Sequence, residues 1–289
     1  MVPPEALAAA PEAALQAAQA IFVSSPSEGR CRICGKSDSL TREHLPPASS
    51  QLDGRIVVQG LEEWLARSSE ETLPRGAAQQ GGWTRALCAS CNSRTGSWYG
   101  NEYRGWVARA MAVLKQLPPL EELDASNRME QVEVLFADVD PGAFVRQVLS
   151  LLCTVSGPWD LAGRHPEIRA MILDRQPAAL PPGMRLHLVL YCGPTSRVAG
   201  PSLTIDRATK RWEWLLELAY PPLAMLLELA GDADQRSLLD ISEFTTVAPG
   251  RVFDYQATLD IGFGHTAFPG DYRPAGALRA GPGTNPSPR

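Results

Sequence analysis

The sequence predicts an α+β protein in two parts: a small zinc-stabilised module over residues 29–118, then an α+β domain over 119–272 built on an antiparallel sheet. Three observations carry this expectation. Cys31-Arg-Ile-Cys34 and Cys88-Ala-Ser-Cys91 form two C-x-x-C pairs whose four thiolates make up the full ligand set of a closed tetrahedral Zn²⁺ site. Trp106, Val107, Ala110, Met111, Leu114 and Leu117 recur at helical spacing and share one face. Beyond Leu186 the apolar period becomes two, as a sheet with one buried face requires.

Taken in order, residues 1–28 are rich in Ala and Pro and read as a flexible arm. Cys31 to Lys36 is the first knuckle, with Gly35 giving the backbone the freedom to turn amides toward a thiolate. Ser37 to Pro47 is extended, because the residue before a proline is pushed out of helical geometry. Residues 48–82 form an insert, read as a strand at 51–59, a short helix at 61–67 and a flexible Gly/Gln loop at 75–82. Trp83 to Leu87 leads as a strand into the second knuckle, and a helix is expected from about Trp98 to Leu117, since Gly96 and Gly100 weaken anything earlier.

The second part opens with a strand at 131–136, followed by a helix at 143–155 with Phe144, Val148, Leu151 and Leu152 on one side. A helix near 166–174 comes next. Strands then follow around Leu186–Leu190, Trp212–Trp214 and Phe253–Phe263, the last alternating Tyr255, Ala257, Leu259 and Ile261 with Asp254, Gln256, Thr258 and Asp260. Residues 273–289 have the composition of a disordered tail.

Composition limits the function classes. A chain of 289 residues, 44% hydrophobic, has enough material for a sizeable core. It contains no apolar run of the ~18–20 residues a membrane span needs, and Glu5 and Glu12 argue against a secretory leader, so a cytoplasmic protein with no membrane partner is expected. Six cysteines in such a length are no disulfide scaffold; Cys153 and Cys192, in apolar surroundings, read as buried free thiols. The net charge is -5, yet residues 29–115 carry 12 Lys and Arg against 8 Asp and Glu. The zinc segment is therefore the electropositive end, the polarity a nucleic-acid partner would need.

Beside the knuckles stand Glu43, His44 and Asn92, a carboxylate, an imidazole and a carboxamide. The order Cys-x-x-Cys, Glu-His, Cys-x-x-Cys-Asn resembles the zinc-containing HNH or ββα-metal endonucleases, and within them the treble-clef group that includes the phage junction-resolving endonuclease. The resemblance covers roughly Cys31 to Glu102. It implies a treble-clef nuclease module in which Cys31, Cys34, Cys88 and Cys91 hold a structural zinc, His44 is the general base, and Glu43 and Asn92 bind a catalytic Mg²⁺ or Mn²⁺. The chemistry agrees: phosphodiester cleavage needs a base to activate water and a cation to absorb charge, and hard oxygen donors suit Mg²⁺.

Arg94, Arg42 and Arg85 are candidate phosphate contacts, and Glu102 is a weaker candidate for a further ligand. Neighbours on a strand point to opposite sides, so Glu43 and His44 can serve one site only if the chain bends there; Pro46-Pro47 fits such a break. The family's middle asparagine, which ties the loop carrying the base, lacks a clear counterpart, Gln80 and Thr84 being the nearest polar residues. The expected activity is hydrolysis of nucleic acid, DNA favoured, with the C-terminal domain as a candidate regulator or homodimer surface. The alternative is a zinc module that binds nucleic acid or protein without cutting it.

Overall fold

The computed structural model describes residues 27–45, 47, 55–58, 77–80, 83–117, 131–191, 197–205, 212–230 and 238–262. The expected helix at 61–67, Cys192, the tail at 273–289 and all but the last two residues of the arm lie outside them. Among the described residues the architecture is mixed α+β with largely antiparallel sheets.

Strands β1 (Glu28–Arg30), β2 (Ser37–His44) and β5 (Trp83–Cys88) form an antiparallel sheet with β2 in the middle. The turn from β1 to β2 is the first knuckle. Gly35 sits at φ 75, as expected of a residue without a Cβ, while its amide donates to the Cys31 carbonyl and the Cys31 amide donates to the Lys36 carbonyl, each at 2.9 Å. In the insert, β3 (Arg55–Val58) pairs antiparallel with β4 (Ala77–Gln80). The segment 75–82 was expected to be a loop. Its weak β propensity is overridden because the β-branched run Ile56-Val57-Val58 offers a partner for its amides and carbonyls.

Helix α1 (Ala89–Leu114) departs most from expectation. It begins inside the second knuckle, nine residues before Trp98, and runs through Gly96 and Gly100. Each glycine costs roughly 1 kcal/mol in a helix. Burying Cys91, Thr95, Tyr99 and Tyr103 on one side outweighs that, since one large apolar side chain removed from water contributes about 1.5–3 kcal/mol.

The second part contains a sheet ordered β6 (Gln131–Val139), β12 (Phe253–Gly262), β7 (Arg185–Tyr191), β10 (Leu223–Ala230), β9 (Trp212–Tyr220), β8 (Arg197–Ile205), with the short β11 (Leu239–Asp240) on β7. All its pairings are antiparallel except β12 with β7, where Ile261 and Gly262 run parallel to Leu190 and Tyr191. The last described strand thus enters between β6 and β7. The alternation along β7 does not mark one wet face. Leu186, Leu188 and Leu190 join the main core, while Val189 and Tyr191 join a second buried cluster with Leu215, Ala219, Ala224 and Leu226, and His187 is buried too.

Helix α2 (Pro141–Val155) was expected to bury one side, and every one of its residues is buried. It lies at the centre of the packing, with the polar residues Arg146, Gln147, Ser150 and Thr154 buried along with the apolar ones. Short helices α3 (Leu161–Arg164) and α4 (Pro166–Leu173) follow. Cys153 on α2 is buried, and burial pushes its thiol pKa upward, so it behaves as an inert apolar group.

One contiguous hydrophobic core runs from Cys31 and Ile33 at the first knuckle to Leu259 and Ile261 in the large sheet. The link is α1, whose Trp106 stacks on Phe136 and on Phe144 at 4.3 Å each. Among the described residues no helix is long and apolar enough to cross a membrane.

Candidate functional site

The four cysteines converge. Their Sγ atoms all lie within 4.8 Å of one another, with Cys34 and Cys88 at 3.9 Å. A tetrahedron of Zn–S bonds of about 2.3 Å has S···S edges of about 3.8 Å, whereas a disulfide would need about 2.05 Å. The cluster is thus spaced to hold a zinc ion, and it is the only such group of four among the described residues. Three of its cysteines are buried and Cys34 is half-buried.

Local structure holds each thiol there. The Arg32 amide donates to the Ala86 carbonyl at 2.9 Å, fastening the first knuckle to β5. From outside the module, Arg169 of α4 donates from Nε to the Ile33 carbonyl at 2.9 Å. Cys88 is the N-cap of α1 and Cys91 lies in its first turn. The Cys31 thiol is lowered to about 4, chiefly by the hydrogen bond with Cys91 and further by backbone amides, whereas its burial opposes the shift. Ionised sulfur at that position is what a metal ligand requires.

Asn92, the residue after the last cysteine, faces β2. Its Nδ2 donates to Thr41 Oγ1 at 3.0 Å and to the Arg42 carbonyl at 2.9 Å. The assignment of Nδ2 follows from the partners: Thr41 spends its one hydroxyl proton on the Leu87 carbonyl at 3.0 Å, and a carbonyl can only accept. Oδ1 carries no bond among the described residues. Asn92 thus ties α1 to β2 at a bulge between Thr41 and Arg42.

His44 lies two residues beyond Arg42 along β2, about 7 Å on. It is exposed and shares a face with exposed Arg42; across the ladder stand Trp83 and Arg85. Arg42 stacks over the Trp83 ring at 4.5 Å and Arg85 at 5.3 Å. Glu43 takes the opposite face. It is buried at 6% exposure, aligned with buried Thr84, and its Oε2 has no hydrogen-bond partner among the described residues. Burial alone raises its carboxyl to about 8, so it is protonated at neutral pH. β2 runs through both residues and ends at His44, so no bend separates them and the two side chains take opposite faces.

Arg94 is exposed on α1 and lies over Trp98 at 5.9 Å. Glu102 is structural: its Oε1 accepts from the Asp140 amide at 3.0 Å, about 15 Å along the helix from Asn92. Thr41 and Trp83 were not singled out from the sequence; a threonine in a strand and a tryptophan before an arginine-bearing strand give no signal until the register is known. Comparison with protein-family models, curated proteins and solved structures found no match to this chain.

Proposed function

We propose that the zinc-held module hydrolyses phosphodiester bonds of nucleic acid, DNA first, with His44 as general base. The observation that carries this is the clamp from Asn92 to the Arg42 carbonyl, which fixes the strand bearing an exposed imidazole beside the four-cysteine cluster. His44 would take the proton from water, and the guanidinium groups of Arg42 and Arg85 on the same face would hold the phosphate. Asn92 Oδ1, a hard oxygen donor, is the side-chain atom suited to hold Mg²⁺ or Mn²⁺ with waters and phosphate oxygens. Such an ion supplies charge neutralisation at the leaving oxygen. Glu43 faces inward and has no part in this version of the site.

That inward carboxyl group favours a second reading, in which the module binds nucleic acid without cutting it. Supercoiled plasmid incubated with the zinc-loaded protein and Mg²⁺ or Mn²⁺ separates the two. The first reading expects nicking that falls by about 100-fold or more in His44→Ala with zinc retained. Retardation on a gel with no nicking by either protein selects the second, and neither binding nor nicking removes both.

A further inference from the structure

We infer that the outer side of α1 binds an unpaired stretch of nucleic acid, one base stacking on Trp98 while Arg94 and Arg175 hold its phosphates. This rests on the reading that the protein handles nucleic acid, yet it concerns a surface apart from His44. Trp98 follows Asn92 by six residues and is turned about 120° from it around the helix.

Trp98 is 37% exposed, whereas Trp106 on the same helix is fully buried. Arg94, one turn earlier, and Arg175, just beyond α4, lie over its ring at 5.9 and 5.8 Å. Both arginines are exposed, and among the described residues neither has an ion-pair partner. Two exposed cations sharing one exposed indole form the combination of charge and π-surface that single strands use, since every base has a face to stack and every linkage a negative charge.

The bland alternative is a cation–π staple joining α4 to α1. Contacts near 6 Å are at the outer limit of that interaction, so they add little cohesion. The junction is already secured by the buried bond from Tyr99 Oη to the Ile172 carbonyl at 2.7 Å. Arg175 is also held in a left-handed backbone conformation, φ 57, which a non-glycine residue rarely adopts. Buried Arg146 maintains it by donating to the carbonyls of Met171 at 2.9 Å and Gln176 at 2.8 Å on either side. A strained backbone clamped by its neighbours and carrying an exposed charge is the pattern of a preorganised contact.

The test is fluorescence anisotropy of a labelled mixed-sequence single-stranded DNA oligonucleotide and of the matching duplex, with the zinc-loaded full chain. Trp98→Ala should weaken single-strand binding about ten-fold, with Trp98→Phe retaining most of the affinity. Arg94→Ala and Arg175→Ala should each lower the slope of log affinity against log salt by about 0.7. Duplex binding should change far less in all four variants. If the wild type binds single strands and Trp98→Ala with Arg175→Ala bind them equally well, or lose duplex and single strand alike, the inference falls while the nucleic-acid reading stands. If the wild type binds neither probe, both fall.

Discussion

Asn92 ties α1 to β2, and the proposed function would give it a second task as a cation ligand; substitution separates the two. Asn92→Ala removes the donors to Thr41 Oγ1 and the Arg42 carbonyl, so urea denaturation of the zinc-loaded protein should show a loss of about 1–2 kcal/mol. Asn92→Asp, although a better cation ligand, turns an acceptor toward that carbonyl and should be less stable than the alanine variant; an aspartate variant as stable as wild type would remove the tie. Glu43 gives a pH signature. Its folded-state pKa, about 8, lies above its unfolded one, so its contribution is fully present below about pH 4.3 and is lost as pH rises through 8. In Mg²⁺-free buffer Glu43→Gln should flatten the decline in stability over that window, and an unchanged pH profile would contradict the burial. The cysteines were legible because short spacing fixes them locally; Asn92's partners lie 50 and 51 residues away in sequence and were not. The opposed directions of Glu43 and His44 were legible from strand alternation, which β2 keeps through both residues.

Helix α1 shows how far an element can overrule its own composition. A Cβ built at Gly96 or at Gly100 meets nothing within 4 Å, and neither glycine has positive φ. Gly96→Ala and Gly100→Ala should therefore each stabilise the protein by about 0.5–1 kcal/mol in urea denaturation, whereas a loss would mean the helix is not continuous there. Gly142 is the contrast, since a methyl group there would run into the Val247 carbonyl at 2.5 Å. Most element positions were readable: β2, β5, β6, α2, α4 and β12 fall where periodicity and prolines put them. The early start of α1 was not, because the burial that rescues its glycines comes from contacts with distant elements. The pairing of β3 with β4 was missed for the same reason, each strand being too short to announce a partner.

At the scale of the whole molecule, one buried cation ties together distant segments of the second part. Arg146 is fully buried and donates to five backbone carbonyls, those of Gly142, Met171, Gln176, Thr245 and Val247. Burial lowers its pKa, but with five acceptors the guanidinium is well compensated. Arg146→Met should cost more than ~3 kcal/mol by leaving those acceptors unpaired, and Arg146→Lys should recover only part, having no planar fork; a Met variant with an unchanged urea midpoint would refute this. The sequence pointed to a module followed by a domain, and the knuckles, the large sheet and the helices expected at 143–155 and near 166–174 are found. What composition hides is that α1 starts among the thiols and ends among the aromatic rings of the second part, a rod about 39 Å long. Dissection at residue 118 would consequently yield a fragment with a greasy flank: Tyr99, Tyr103 and Trp106 would lose their covering and drive self-association. Anyone wishing to study the metal-bearing end alone must first repaint that flank with polar side chains.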